Sequence, residues 1–166
     1  MEHAIRKLRI AWGRVIWLLR HGDAEDSPPG GEGGDAARRL TVKGEEQAVA
    51  AGQSLARAQA KIETCLTSPK ARALDSARLA CAELGIEPEV SDELAGGDFD
   101  SERLAAGRGE TLLVGHEPDL STAIQAATGG RVKLKKGGLA ALDGGKLVVL
   151  LRPVELREIA SESGAS

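Results

Sequence analysis

The sequence predicts an α/β fold: a three-layer sandwich with a mostly parallel central sheet, helices on both faces and an antiparallel edge strand. Short apolar runs alternate along the chain with longer stretches of helical periodicity, which is typical of parallel strands joined by helices. Near the end, two apolar runs flank Asp143-Gly144-Gly145, a turn sequence that favours an antiparallel hairpin.

Along the first half of the chain the pattern predicts a strand, a loop, a helix and a strand. The apolar run at residues 14–19 is the first strand. Residues 23–38 are rich in proline, glycine and acidic residues and have no apolar period, so they predict an irregular surface loop. Residues 43–60 favour a helix, and residues 62–67 favour a second strand.

The next helix carries recognisable end signals. Ser68 is a candidate N-cap, Pro69 suits the first helical position, and Gly85 marks the C-terminal end. The remaining predicted elements are strands at residues 89–91, 111–114, 139–142 and 146–151, and a helix that begins at Pro118.

The chain of 166 residues fits one domain. We divide it into an N-terminal extension (1–13), a domain (14–153) and a C-terminal tail (154–166). The formal charge of -3 and the lack of a basic stripe with aromatics argue against nucleic acid as a partner. No apolar run approaches the ~20 residues that cross a bilayer, and no secretory signal is recognisable, so a cytoplasmic monomer without a membrane partner is expected.

Polar and cationic residues follow three of the predicted strands. Arg20, His21 and Gly22 follow the first, Arg72 comes shortly after the second, and His116 comes shortly after the fourth. Since the carboxyl ends of parallel strands meet at one edge of a sheet, these side chains should converge. Guanidinium groups match phosphate with paired hydrogen bonds, so the constellation predicts a phosphate pocket. No His, Cys and Asp cluster has metal-ligand spacing, and neither a metal nor a cofactor is expected.

Four stretches, in this order and at these separations, resemble a known family: LLRHGDAE, RRLTVKG, TSPKARALDSA and LLVGHEPDLS. They resemble the histidine phosphatase superfamily, which has the phosphoglycerate-mutase-like fold, and within it the short phosphohistidine phosphatases of the SixA type. The resemblance runs from about Val15 to Leu151, nearly the whole chain.

The resemblance implies a role for each member of the constellation. His21 would be the nucleophile, Arg20 and Arg72 the phosphate ligands, and His116 the second active-site histidine. Gly22 would let the backbone pass close to the bound phosphate.

Glu93 is the candidate proton donor, because it lies where the wider family keeps an acidic residue; a solvated loop carboxylate is the alternative. Ser27 stands where the mutase branch carries asparagine, which argues against mutase activity. Asp75 and Ser76 replace the usual Gln-Thr, a change to which we assign little weight.

Together these features predict a metal-independent phosphatase that works through a covalent phosphohistidine on His21. The substrate would be a phosphohistidine on a protein, because a short chain without a cap leaves the site open to a protein surface. Two alternatives remain: a phosphatase for a small phosphorylated metabolite, and a non-catalytic phosphate-binding module. Acidic residues in the 23–38 loop favour a protein with basic surface residues over a highly charged metabolite.

Overall fold

The computed structural model describes residues 14–162, so the predicted N-terminal extension lies outside the described residues. The strands of this part of the chain are β1 (Val15–Arg20), β2 (Thr64–Thr67), β3 (Pro88–Val90), β4 (Thr111–Gly115), β5 (Leu139–Asp143) and β6 (Lys146–Leu151). Its α-helices are α1 (Val42–Arg57), α2 (Ala71–Leu84), α3 (Ser101–Ala105), α4 (Asp119–Thr128) and α5 (Pro153–Ser161).

The six strands form one sheet in the order β3-β2-β4-β1-β5-β6. Strands β1 to β4 are parallel, and β5 runs antiparallel to both β1 and β6. Val114 of β4 pairs with Leu19 of β1 and with Thr67 of β2, so these three strands end at one level. The predicted α/β fold is confirmed, including its antiparallel edge.

Helices cover both faces of the sheet, which explains the uninterrupted apolar runs of the central strands. Along β1, Trp17 and Leu19 point to the face covered by α1, α2 and α5, whereas Ile16 and Leu18 point to the face covered by α3 and α4. Among residues 14–162, no helix is long and apolar enough to cross a membrane.

The start of α2 differs from the sequence prediction. The helix begins at Ala71, and Lys70 rather than Ser68 is its N-cap. The Ser68 hydroxyl accepts a hydrogen bond from the Lys70 backbone N–H at 3.2 Å, within the turn that precedes the helix. Ser68 therefore lies at the end of the sheet, where its side chain is available to the site.

The C-terminal segment also differs from the predicted tail. Residues Pro153–Ser161 form α5, which buries Leu156 and Ile159. The buried Ser54 hydroxyl of α1 donates to the Leu156 carbonyl at 2.7 Å, which ties the two helices together. The packed unit thus extends beyond residue 153, to the end of this helix.

Candidate active site

The ends of β1, β2 and β4 bring two histidines together. The His21 backbone N–H donates to the Gly115 carbonyl, and the Ser68 N–H to the Val114 carbonyl, each at 3.1 Å. These bonds carry the sheet pairing one residue past the strands. As a result, the imidazole rings of His21 and His116 lie with their centroids 5.1 Å apart and are tilted by 55°.

The His21 ring is held in one tautomer. Its Nδ1 lies 2.7 Å from the Gly22 carbonyl oxygen, which can only accept a hydrogen bond, so Nδ1 carries the proton. The Nε2 atom consequently carries the lone pair. Burial lowers the pKa of His21 to about 4, and the positive charges of Arg72 and Arg20 add to that shift. The ring is neutral and nucleophilic at pH 7.

His116 is oriented by Ser68. Its Nε2 lies 2.8 Å from the Ser68 hydroxyl, and its buried Nδ1 has no partner within the described chain. Because that hydroxyl already accepts from the Lys70 N–H, its proton is free to be donated to Nε2. In the tautomer in which Nε2 accepts that proton, Nδ1 carries a hydrogen that it can donate to a ligand oxygen. Burial, followed by the influence of His21, lowers the pKa of His116 to about 3.

Arg20 is anchored by the backbone that precedes β5. Its Nη1 donates to the Leu134 carbonyl at 2.8 Å, while its buried Nε has no partner among the described residues. Burial lowers the pKa of Arg20 from its ordinary value, and the charge of Glu117 opposes that change. A buried donor of this kind on a partly exposed guanidinium is suited to a hydrogen bond with an anion.

Arg72, in the first turn of α2, is occupied by the loop that follows β1. Its Nη1 donates to the Asp35 carbonyl at 2.8 Å, and its Nη2 lies 3.0 Å from the Asp35 carboxylate. Lys70 and Arg38 pair with the same carboxylate at 3.2 and 3.0 Å. These cations, Arg72 first, hold the pKa of Asp35 well below its usual range.

Gly22 has a packing role, in addition to the approach to phosphate that stays a prediction. A Cβ atom there would lie 2.4 Å from the Gly44 carbonyl oxygen, so only glycine lets this turn approach α1. The Gly22 N–H donates to the Ser76 hydroxyl at 3.0 Å, and that hydroxyl donates to the Arg72 carbonyl at 2.7 Å. Ser76 therefore links the His21 turn to the helix that carries Arg72.

Glu93 is not brought together with the other predicted residues. It lies in the 3-10 helix Asp92–Leu94 and forms an ion pair with Arg103, with 48% of its side chain exposed. Within residues 14–162, no hydrogen bond or ion pair joins Glu93 to His21 or His116. The contacts of this carboxylate are those of a solvated surface group.

Three residues with direct contacts to the site were missed or undervalued by sequence reasoning. Ser68 directly follows β2, at the same edge as the histidines, and this position was the available signal. Ser76 lies one helical turn after Arg72, on the same face of α2. Asp35 gave no signal, since it lies in a loop without periodicity.

Comparisons with known proteins agree with this geometry. The model of the histidine phosphatase superfamily (branch 1) matches residues 16–105. Over 142 residues the chain is 39% identical to an uncharacterized protein of Picosynechococcus sp., covering 78% of this chain and 85% of that protein. The chain belongs to the histidine phosphatase superfamily.

Solved structures share the fold. A protein of Agrobacterium tumefaciens assigned as the phosphohistidine phosphatase SixA superposes with a TM-score of 0.73 at 23% identity, covering 84% of this chain and 99% of that one. An Escherichia coli K-12 protein assigned as an alpha-ribazole-5'-P phosphatase gives a TM-score of 0.65 at 20% identity, covering 85% and 98%. The two neighbours carry different substrate assignments, so the shared fold does not decide the substrate.

Proposed function

We propose that this protein is a metal-independent phosphatase of the SixA type, which hydrolyses phosphohistidine on a protein through a covalent phosphohistidine on His21. The observation that carries the proposal is the hydrogen bond from His21 Nδ1 to the Gly22 carbonyl at 2.7 Å. It leaves the lone pair on Nε2, in a ring whose pKa of about 4 keeps it neutral at physiological pH.

In the first step, His21 Nε2 attacks phosphorus in line with the leaving group, so the new N–P bond forms as the substrate's P–N bond breaks. The departing imidazole of the substrate takes a proton from solvent. In the second step, water attacks phosphorus, the bond to Nε2 breaks, and the proton of the water passes to solvent. His21 returns to its neutral form and inorganic phosphate leaves.

The arginines and His116 bind the phosphoryl oxygens in both steps. Arg20 Nε and His116 Nδ1 are buried donors without partners in the described chain, which fits hydrogen bonds to a bound phosphoryl group. Arg72 adds a guanidinium group once Asp35 is displaced. Each well-placed donor of this kind contributes about 3–4 kcal/mol to stabilising the transition state.

Phosphohistidine is favoured as the substrate because its leaving group, an imidazole, needs little help from a general acid. An imidazole with a free pKa of ~6.5 accepts a proton from water near pH 7, whereas the alkoxide of a sugar or serine must be protonated as it leaves. The Glu93 carboxylate pairs with Arg103, so a substrate whose leaving group needs no general acid suits this site.

The test is a panel assay of phosphate release from a phosphohistidine protein, a phosphoserine peptide and a sugar phosphate. We expect kcat/KM to be at least tenfold higher for phosphohistidine, with an acid-labile phosphate trapped on the enzyme during turnover. The variant His21→Asn should trap none and show no turnover, while binding inorganic phosphate.

Two results would redirect the assignment. Preferential hydrolysis of the sugar phosphate would make the protein a metabolite phosphatase. Binding of phosphate without turnover of any substrate would make it a binding module. Arg108→Gln is the matched control, because it removes an exposed side chain that pairs with Glu89, away from the described site contacts.

A further inference from the structure

A basic groove opens beside the phosphate pocket. It encloses about 600 Å³ and is bordered by α1, by the segment before β5 and by the start of α5. Seven of its thirteen lining residues are Lys or Arg: Arg20, Lys43, Lys133, Lys135, Lys136, Arg152 and Arg157. The lining carboxylates are Asp23 and Glu46, so positive charge dominates the groove.

Several of these cations form no ion pair within residues 14–162. Lys136 pairs with Asp23 at 3.1 Å, and Arg152 pairs with Glu155 at 2.8 Å. No ion pair with the described residues involves the other four exposed cations, namely Lys43, Lys133, Lys135 and Arg157. Their charges are available to a ligand.

The groove is rigidly joined to the phosphate pocket through Arg20. The carbonyl of the buried Leu134 accepts a hydrogen bond from the Arg20 guanidinium. The two neighbours of Leu134 in the chain, Lys133 and Lys135, are exposed. The Gly137 N–H donates to the His21 carbonyl at 2.9 Å, and the Arg20 N–H donates to the Gly138 carbonyl at 3.0 Å. The backbone that carries the two lysines is thus hydrogen-bonded to Arg20 and His21.

We propose that this groove docks an acidic segment of the phosphorylated protein, next to the phosphohistidine presented to His21. The inference rests on the proposed function. Pockets for small molecules are lined mainly by apolar and aromatic side chains, whereas exposed lysines and arginines on three separate elements suit a row of carboxylates. The acidic charges of the 23–38 loop do not contradict this, because Asp35 and Asp23 are paired with cations of the enzyme itself.

Exposed acidic residues on the opposite side of the site set the direction in which the docked segment runs. Glu25, Asp26 and Glu32 are exposed on the loop that covers Arg72. They repel an acidic segment from that side, while the groove attracts it to the Arg20 side. The acidic residues of the partner therefore extend from the phosphohistidine toward α5.

The experiment compares two phosphohistidine peptides, one with acidic residues beside the phosphohistidine and one with the matching amides. The wild-type enzyme should show a kcat/KM three- to tenfold higher for the acidic peptide at low salt, and the preference should shrink at 0.5 M NaCl. The variant Lys133→Gln/Lys135→Gln should lose the preference and leave hydrolysis of para-nitrophenyl phosphate unchanged.

The matched control is Lys61→Gln/Lys146→Gln, which removes the same charge at the opposite edge of the sheet, where β2 and β6 begin; it should keep the preference. Equal rates for the two peptides in the wild type would overturn the docking proposal and leave the proposed function standing. Hydrolysis of para-nitrophenyl phosphate but of neither peptide would overturn both. A preference for a small bisphosphate that disappears in Lys133→Gln/Lys135→Gln would assign the groove to a second phosphate instead.

Discussion

The two arginines of the proposed phosphate pocket differ in what surrounds them. Arg72 is covered by the loop after β1, and Asp35 accepts hydrogen bonds from both of its terminal nitrogens. Arg20 is held by one carbonyl, that of Leu134, and its Nε lacks a partner in the described chain. One side of the pocket is therefore closed by an acidic side chain of the enzyme, and the other opens toward a basic groove.

The two sides of the proposed phosphate site therefore differ in how ready they are to bind an anion. On the Arg20 side, the buried Arg20 Nε and His116 Nδ1 have no partner among the described residues, so an anion can bind there without displacing a group of the described chain. On the Arg72 side, Asp35 satisfies the guanidinium, so a phosphate must compete with a carboxylate. The Arg20 side is thus organised for binding in advance, and the Arg72 side has to exchange partners.

The largest effects should come from removing either guanidinium. Arg20→Gln and Arg72→Gln should each lower kcat/KM by about 10²–10³, because a donor to the transition state is lost. Only Arg72→Gln should also release the loop, which amide hydrogen exchange at residues 33–38 measures. Equal exchange in both variants would show that Arg72 does not hold the loop.

A second effect concerns the charge of His21, the proposed nucleophile. Since the pKa of His21 is lowered to about 4, protonation should reduce kcat/KM about tenfold per pH unit below that value. Between pH 6.5 and 4 the unfolded chain binds a proton at this residue and the folded protein does not, so stability should fall as the pH falls through this window.

The same titration distinguishes the two arginines. The charge of Arg72 lowers the pKa of His21 more than that of Arg20 does. In an NMR titration of the labelled imidazole, the midpoint should therefore rise further in Arg72→Gln than in Arg20→Gln. A midpoint near 6.5 in the wild type would contradict the burial of a neutral ring.

The parts of the site that sequence reasoning located are those fixed by sheet geometry. Arg20 ends β1, and His21 and His116 come directly after β1 and β4; parallel pairing places such residues at one edge. The position of Arg72 could also be predicted, because it lies in the helix that follows β2. Asp35 could not be predicted, because its position depends on how a Gly-rich loop folds across the sheet edge. The groove likewise depends on three elements that meet only in the tertiary structure.

The fold was predictable for the same reason, except for the short helix α3, the helix α5 and the start of α2. Strong apolar runs located the strands, whereas α5 has its fully buried contacts at Leu156 and Ile159, too few for a clear helical period. The true start of α2 was missed because Ser68 and Pro69 carry the usual signals of a helix start. The turn uses Ser68 to satisfy the Lys70 N–H and to contact His116 instead.

A smaller effect should follow from Ser68→Ala. Loss of the hydroxyl leaves His116 free to change tautomer, so kcat should fall about tenfold with little change in KM. Nitrogen NMR of His116 should change from one tautomer to a mixture. Ser54→Ala is the matched control, since it also removes a buried hydroxyl that is bonded far from the site. An unchanged tautomer in Ser68→Ala would limit Ser68 to a structural role.

The smallest effect, and the most direct test of the difference between the two arginines, should come from Asp35→Asn. The amide keeps the shape of the side chain and the backbone contact to Arg72 but removes the charge that competes with phosphate. The inhibition constant of inorganic phosphate should fall about three- to tenfold, because an ion pair with a partly exposed carboxylate such as Asp35 contributes about 1 kcal/mol. Asp26→Asn is the control: it removes the same charge from the same loop at a residue that has no ion pair with the described chain.

If both variants tightened phosphate binding equally, the general negative field of the loop would be responsible rather than the contact with Arg72. If Asp35→Asn weakened binding, Asp35 would position Arg72 for phosphate rather than compete with it, and both sides of the pocket would then be organised in advance.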